Sequence, residues 1–259
     1  MRNWMLLLAF NGTAYRGWQI QPQVPTVEGT LERALSRLTQ QHIKVHGAGR
    51  TDAGVHGLNY PASFELDTAL TPEKLRVALN ALLPHDIVVK AVQEVPQEVH
   101  ARHSAVGKRY RYQIHNLPYA DPFRLQQSWW VRRSLDLEAM REAALLFLGV
   151  HDFRGFRSVH CTSSSTIKEM REAELRELRP GVFCLEFEAN SFLQHMVRIL
   201  TGTLVEVGLG RCTQEDIREA LSTGQRTLVG QTAPAHGLAM LRTLYPEGLI
   251  SWPAEALDP

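Results

Sequence analysis

Cysteine, excess charge and long apolar runs are all scarce in this sequence. Its 259 residues include three cysteines, Cys161, Cys184 and Cys212. They are too few and too scattered for a disulfide framework or a CxxC metal site, which indicates free thiols and a reducing, cytoplasmic setting. The 28 Lys and Arg residues against 27 Asp and Glu leave a net charge of +1. That balance neither requires nor excludes a nucleic-acid partner, because phosphate is bound by local basic patches.

Membrane, metal and dinucleotide signatures are missing as well. The apolar stretch 1–10 has the length of a strand, cannot span a bilayer and lacks a signal-peptide cleavage site, so we expect no membrane association. With no CxxC pair to join the eleven histidines, we expect no metal and no cofactor. Gly47-Ala48-Gly49 lacks the third glycine of a dinucleotide fingerprint.

The first hundred residues predict a β-α-β-β-α-β order. A buried strand over 4–10 ends at Asn11-Gly12, and further strands are expected near 42–47, 58–65 and 87–95. Thr26 is the expected N-cap of one helix, and Thr71-Pro72 opens another. This order is typical of helices packed on one face of a largely antiparallel sheet.

The second half repeats the scheme with longer elements. We predict a strand over 108–115, a helix over 137–148 that Gly149 stops, and a hairpin rather than a helix from 167 through Pro180-Gly181. A helix from Leu193 to near Gly208, a short one with a Thr213 to Asp216 capping box and a strand over 238–243 follow. The predicted domains are an N-terminal α/β domain over 1–104, a C-terminal α/β domain over 105–245 and a peripheral tail over 246–259.

Asp52 is the first candidate for chemistry. Its neighbours in Gly49-Arg50-Thr51-Asp52-Ala53-Gly54 include glycines that permit tight turns and close approach of a ligand. Arg50 can hold a carboxylate or a phosphate. On these residues alone, the loop is either a catalytic loop or a surface turn in which Asp52 pairs with Arg50.

Tyr110 and a set of basic residues are the second group of candidates. Tyr110 lies on a predicted strand in which apolar and polar residues alternate. It is either a core aromatic or a ring on which a base stacks, and its basic neighbours favour RNA. His195 and Arg198 are spaced i and i+3, so we expect them on one helix face. The remaining basic residues suit phosphate contacts or a solvated surface: Arg102, Lys108, Arg109, Arg111, Arg132 and Arg133.

Residues 49–57 resemble, residue for residue, the signature of the TruA family of transfer RNA pseudouridine synthases. Other stretches match the family in the same order along the chain, and the resemblance covers roughly residues 4–245. These stretches are Gly12-Thr13, Tyr15, Gly17-Trp18-Gln19, Asn80, Leu83-Pro84, Asp86-Ile87, His100-Ala101-Arg102, Ser104-Ala105, Lys108 to Tyr112, Asp152-Phe153, Phe156-Arg157 and His195 to Arg198.

The resemblance implies a two-domain α/β protein whose mostly antiparallel sheets meet at a central cleft. It implies a homodimer that needs no cofactor or metal and converts uridine to pseudouridine at positions 38, 39 and 40 in the anticodon stem-loop of transfer RNA. By the same resemblance, Asp52 is the nucleophile or its equivalent, Arg198 pairs with it, Arg50 holds the flipped-out nucleotide and Tyr110 stacks on the base. The expected substrate-binding residues also include Arg102, Lys108, Arg109, Arg111 and His195.

Several positions depart from the usual family pattern. This chain has Phe10-Asn11 where the family usually has Tyr-Asp, Glu28 where it has Gln, and Asn59-Tyr60 where it has Gly-Gln. Gln194 and Ile199 replace the usual His and Asn. No catalytic group is lost, but we expect Asn59-Tyr60 to alter how RNA lies beyond Asp52, so the target position is less defined than the reaction.

Two alternative functions remain open on the sequence. One is an RNA-binding or tRNA-folding protein with little catalysis, and the other is a nucleoside N-glycosidase, which normally needs two carboxylates. The route at Asp52 also stays open among attack on the ribose C1′, attack on the base C6 and removal of a proton from the sugar.

Overall fold

The computed structural model describes residues 1–257, so residues 258 and 259 of the predicted tail lie outside the described residues. The strands and helices follow one another along the chain in a mixed order. They are β1 (Arg2–Phe10), α1 (Val27–Thr39), β2 (His46–Gly47), β3 (His56–Leu66), α2 (Pro72–Leu82), β4 (Ile87–Val95), β5 (Gly107–His115), β6 (Trp129–Trp130), α3 (Leu137–Leu145), β7 (Gly149–Asp152), β8 (Ile167–Arg179), β9 (Val182–Ala189), α4 (Met196–Gly208), α5 (Gln214–Thr223), β10 (Leu238–Leu244) and α6 (Ala254–Leu257).

The described chain forms two compact units. One contains residues 1–106 together with the described residues from 240 onward, and the other contains residues 107–239. Residues 240–245 therefore lie with the N-terminal unit, whereas we expected them in the C-terminal domain. The predicted fold class, α/β with mostly antiparallel sheets, is confirmed by the strand pairing within each unit.

The first unit is built around β1, which lies between β3 and β4 and is antiparallel to both. β10 lies on the other side of β3, and β2 also pairs with β3. The predicted helix starts are confirmed, because the Thr26 hydroxyl accepts the Gly29 N–H and the Thr71 hydroxyl accepts the Lys74 N–H. α2 packs against β4.

The C-terminal segment packs on the first unit. Leu249, Ile250 and Trp252 lie against a buried cluster of Met5, Val95, Val99 and Ala101, and Ala256 joins Leu7 and Ala91. The tail thus covers Met5 and Leu7. These two residues are two positions apart on β1, so their side chains lie on the same face of the strand. This placement differs from the expected peripheral tail. The packing has no signal in the sequence, because the few apolar residues between Pro246 and Pro253 show no helical or strand period.

The second unit contains an antiparallel sheet in the order β5, β9, β8, β7, with β6 parallel to the end of β5. The hairpin of β8 and β9 and the Thr213 to Asp216 capping box are confirmed. α3 contacts both α4 and β8.

Two helix boundaries in the second unit differ from the prediction. α3 ends at Leu145 rather than 148, and Gly149, with φ +97°, opens strand β7. α4 begins at Met196 rather than Leu193, because His195 is the N-cap and has left-handed backbone angles of φ 65° and ψ 0°. Within residues 1–257, no helix is long and apolar enough to cross a membrane.

Candidate active site

Asp52 lies in a tight turn immediately before β3. Its carbonyl oxygen accepts the Val55 N–H at 3.1 Å, and Gly54 within the turn has φ +80°, a conformation that glycine adopts without strain. Asp52 is half-buried. The carbonyl rather than the carboxylate closes this turn, which leaves the carboxylate oxygens for other contacts. The residues 49–57 are called the Asp52 loop below.

The N-terminal loop, residues 11–18, supports the Asp52 loop through its backbone. The Trp18 N–H donates to the Thr51 carbonyl at 3.2 Å, and the Gly54 N–H donates to the Tyr15 carbonyl at 3.2 Å. Gly17 has φ +90°, and a Cβ added there would collide with the Thr51 carbonyl oxygen. The glycine therefore permits the close approach that joins the two loops.

Two further contacts fix the N-terminal loop in turn. The Gly12 N–H donates to Nδ1 of His56 at 3.0 Å. The Tyr15 hydroxyl donates to Oδ1 of Asp86 at 2.6 Å, and burial together with this bond raises the pKa of Tyr15. Three stretches that matched the family signature thus contact one another in the first unit.

Tyr60 supports the Asp52 loop from inside the core. It is fully buried, its ring stacks on Trp18 with centroids 4.3 Å apart, and its hydroxyl donates to the Gly49 carbonyl. Asn59 is also buried; it donates to the Leu257 carbonyl at 3.1 Å and accepts from Lys90 at 2.8 Å. The expected effect of this pair on the RNA path stays a prediction; because the Tyr60 ring is fully buried, Tyr60 would act through the Asp52 loop rather than by direct contact.

Arg50 and Arg102 line one pocket of the first unit. Both side chains are exposed, and among residues 1–257 neither forms an ion pair with a carboxylate. The expected alternative of an Arg50 to Asp52 surface pair is therefore not observed. The cavity measures about 170 Å³, and its lining comprises Trp18, Gln19, Glu28, His46, Gly47, Gly49, Arg50, His100, Arg102 and His103.

Tyr110 and Arg198 lie in the second unit. Tyr110 is 8% exposed and meets Phe192 edge to face, with centroids 5.0 Å apart. Arg198 is half-buried in the first turn of α4, and its Nε donates to the Ala233 carbonyl at 2.8 Å. The Ala233 N–H donates to the Arg198 carbonyl at 3.0 Å, so this turn is held at both its backbone and its side chain.

The basic residues of β5 divide between the two faces of its sheet. Arg109 and Arg111 lie on the face opposite Tyr110, because neighbouring strand residues alternate. Arg109 bonds to Glu186 and Glu172 at 2.7 Å, and Arg111 bonds to Glu186 at 2.8 Å. Both guanidiniums are therefore committed to ion pairs within the sheet, which does not favour the expected phosphate contacts. Lys108 lies on the Tyr110 face and is half-buried.

His195 does not share a helix face with Arg198 as expected. It precedes the helix in the left-handed region and makes no capping hydrogen bond through its side chain. Gln194 beside it is exposed, whereas Ile199 is buried. The i and i+3 spacing was misleading because the rule applies only when both residues are helical.

A histidine cluster in the pocket was not predicted. The His46 and His100 rings lie 5.0 Å apart and the His100 and His103 rings 4.4 Å apart. These residues come from two separate segments that meet at Ser63 of β3: His46 lies opposite Ser63 in the strand pairing, and the Ala101 N–H donates to the Ser63 hydroxyl at 3.1 Å. Within residues 1–257, no group of three or more His, Cys, Asp or Glu side chains is arranged to hold a metal ion.

Known proteins resemble this chain over most of its length. A family model described as tRNA pseudouridine synthase matches residues 7–104 and 143–246. A tRNA pseudouridine synthase A of Acetivibrio thermocellus is 39% identical over 245 residues, covering 95% of this chain and 100% of the relative. That of Ruminiclostridium cellulolyticum is 40% identical with the same coverage. A solved archaeal box H/ACA sRNP Nop10-Cbf5 complex is far more distant, with 14% identity and a TM-score of 0.38 over 92% of this chain and 48% of that chain.

Proposed function

The chain belongs to the tRNA pseudouridine synthase A family, and we propose that it isomerises uridine in the anticodon stem-loop of transfer RNA with Asp52 as the catalytic carboxylate. The observation that carries this proposal is the setting of Asp52. Its half-buried side chain projects from a turn that three backbone hydrogen bonds hold in place, at Thr51, Asp52 and Gly54. A group that must react with a bound nucleotide needs such a fixed position.

Pseudouridine formation detaches uracil at N1, turns it and rejoins it to the ribose through C5. C5 loses its proton and N1 gains one, so no atoms are gained or lost. The ionised Asp52 can attack C1′ or C6, or take a proton from the sugar, and the three routes share the need for a carboxylate at the reacting nucleotide. Arg50, two residues away and without a carboxylate partner within residues 1–257, is suited to hold a phosphate of that nucleotide.

Tyr110 and Arg198, both in the second unit, are the other groups proposed from the family resemblance. A target uridine must first leave its stack, at a cost of a few kcal/mol, and an aromatic ring returns about 1 to 3 kcal/mol by stacking. Tyr110, which is 8% exposed, is proposed for this role from the family resemblance. Arg198, whose Nε bonds to the Ala233 carbonyl, is proposed from the family resemblance to orient a carboxylate with its planar guanidinium.

The test is incubation with unmodified transfer RNA, followed by nucleoside analysis for pseudouridine and for free uracil. We expect pseudouridine without uracil release, and we expect Asp52→Ala to abolish turnover while RNA affinity stays within about tenfold, because phosphate contacts elsewhere supply most of the affinity. Free uracil would indicate a glycosidase, and tight binding without either product would indicate an RNA-binding protein. Substantial turnover by Asp52→Ala would remove Asp52 from its role.

The target position and the homodimer are proposed from the family alone. Mapping of modified positions in the reacted transfer RNA tests the first, with modification at 38, 39 or 40 as the expected result. Sedimentation of the purified protein tests the second, and a monomer at working concentration would contradict it.

A further inference from the structure

The pocket beside the Asp52 loop has the composition of an anion site. It contains the exposed guanidiniums of Arg50 and Arg102, neither of which has a carboxylate partner among residues 1–257, and three imidazoles. Exposed arginines without acidic partners in a concave site attract anions, and their planar donors match phosphate oxygens.

His100 is held in one tautomer. Its Nδ1 accepts the backbone N–H groups of Arg102 at 3.0 Å and His103 at 3.3 Å. An acceptor nitrogen carries no proton, so the proton of the neutral ring is on Nε2. Burial lowers the pKa of His100, and the neighbouring His103, His46 and Arg102 lower it further. His100 therefore contributes a neutral N–H donor rather than a charge.

Glu28 is the one acidic residue among the lining side chains. Its Oε2 accepts the Ile20 N–H at 2.8 Å, which occupies part of the carboxylate. The pKa of Glu28 is raised above its usual value, because the effect of burial outweighs that of the Ile20 hydrogen bond. Glu32 also raises this pKa, whereas His46 and Lys44 lower it. The two arginines thus outnumber the single, already bonded carboxylate, and the pocket favours negative ligands.

We infer that this pocket binds a backbone phosphodiester of the RNA strand that carries the target uridine, with Arg50, Arg102 and the three histidines as ligands. The inference rests on the proposed function, because it assigns the pocket to the same substrate. Gly49 and Arg50 line the pocket and Asp52 follows two residues later, so a phosphate held there lies along the same strand as a nucleotide at the carboxylate.

The salt dependence of RNA binding tests the phosphate contact. The protein used is full-length Asp52→Ala, so that no turnover occurs, and the ligand is unmodified transfer RNA. Each lost phosphate contact lowers the slope of log K against log salt by about 0.7 to 0.9. We expect this decrease for Arg102→Ala. Arg37→Ala is the matched control. Arg37 is also exposed, but it lies near the C-terminal end of α1, whereas Glu28 at the N-terminal end lines the pocket. Equal slopes for Arg102→Ala and Arg37→Ala would overturn the inference.

A double variant tests the histidine contacts at a single pH. We expect His46→Gln, His103→Gln to bind transfer RNA about three- to tenfold more weakly than the parent protein, the range expected for lost hydrogen bonds. His42→Gln, which replaces an exposed histidine outside the pocket lining, should keep the parent affinity. Equal affinity of the double variant and the parent would contradict the inference. Circular dichroism spectra confirm that the variants are folded.

Inorganic phosphate separates the two sources of the same anion. Histidine Hε1 resonances of His46 and His103 should shift with transfer RNA at micromolar concentration and with inorganic phosphate only at millimolar concentration. Shifts with inorganic phosphate but none with RNA would overturn the assignment to RNA. These readouts are independent of catalysis. If the binding tests give the expected results but the wild type makes no pseudouridine, only the proposed function is contradicted. If the wild type makes pseudouridine but the binding tests fail, only the pocket assignment is contradicted.

Discussion

Tyr60 shows at the scale of one residue how the core can position a catalytic loop. Its ring is buried between Trp18 and Phe10, with centroid distances of 4.3 and 5.3 Å. Its hydroxyl reaches the backbone of Gly49, three residues before Asp52. Tyr60 is a departure from the usual family pattern, and its buried ring contacts the Asp52 loop from the core side.

Removing the hydroxyl should reduce catalysis more than stability. Tyr60→Phe loses a buried hydrogen bond worth about 1 kcal/mol, and the Asp52 loop loses its anchor at Gly49. We expect a several-fold lower kcat with little change in KM, measured as pseudouridine formation. Trp4→Phe is the control, because it removes another buried hydrogen bond, from Nε1 to the Leu66 carbonyl at 3.0 Å. Equal kcat losses in both variants would show that Tyr60 acts through stability alone.

Some site residues could be predicted from the sequence and others could not. The turn of the Asp52 loop follows from its glycines, which are local signals. The ion pairs of Arg109 and Arg111 could not be predicted, because their partner Glu186 lies on another strand, 75 or more residues away. The histidine cluster combines two segments that are distant in sequence and meet at Ser63 of β3.

At the scale of elements, Gly17 is where two loops meet. Gly17→Ala should destabilise the protein by more than about 1 kcal/mol, because a left-handed conformation and a collision with the Thr51 carbonyl oxygen add together. Gly210→Ala is the matched control. Gly210 has φ +69° but no atom within 4 Å of an added Cβ, so it shows the conformational cost alone. Urea unfolding compares them, and equal losses would contradict the proposed collision.

The ion pairs between β5 and β9 predict a dependence on pH. Burial raises the pKa of Glu186, but hydrogen bonds from Arg111 and Arg109 outweigh it and hold the pKa below its usual value. The ionised carboxylate therefore stabilises the fold at neutral pH, and this contribution is lost as the pH falls through the lowered pKa.

Glu186→Gln should cost about 3 kcal/mol at neutral pH, because half-buried Arg111 loses its carboxylate partner and buried Arg109 keeps only its pairs with Glu172 and Glu188. The variant should also lose less stability on acidification than the wild type. Glu174→Gln, which breaks a pair with Arg176 whose side chains are each 48% exposed, should cost less than about 1 kcal/mol. Unfolding by urea from pH 7 to pH 3 measures both, and similar costs would contradict the role of burial.

Local signals account for most of the predicted elements. Threonine caps fixed the starts of α1, α2 and α5, and the alternation of apolar residues fixed β5. The start of α4 was missed because the left-handed backbone of His195 has no signal in its side chain. Its apolar neighbours continue the helical pattern on both sides of the cap.

At the scale of the whole molecule, the C-terminal segment is part of the first unit. Trp252→Ala should destabilise that unit by about 3 kcal/mol, because the indole packs on both apolar clusters of β1 and β4. Hydrogen exchange should rise in residues 1–106 and stay unchanged in 107–239. Glu247→Ala, an exposed residue of the same segment, should change neither. Uniform loss of protection in both units would contradict this assignment.

The return of residues 240–257 to the N-terminal unit also has a consequence for synthesis on the ribosome. The chain emerges from its amino end, and domains generally fold in that order. Here the segment 107–239 is complete before the last strand and the covering tail of the first unit exist. The first unit therefore cannot complete its fold until residues 240–257 are made, and one face of β1 stays uncovered while the second unit folds. Nascent chains arrested near residue 240 should bind chaperones through Met5 and Leu7.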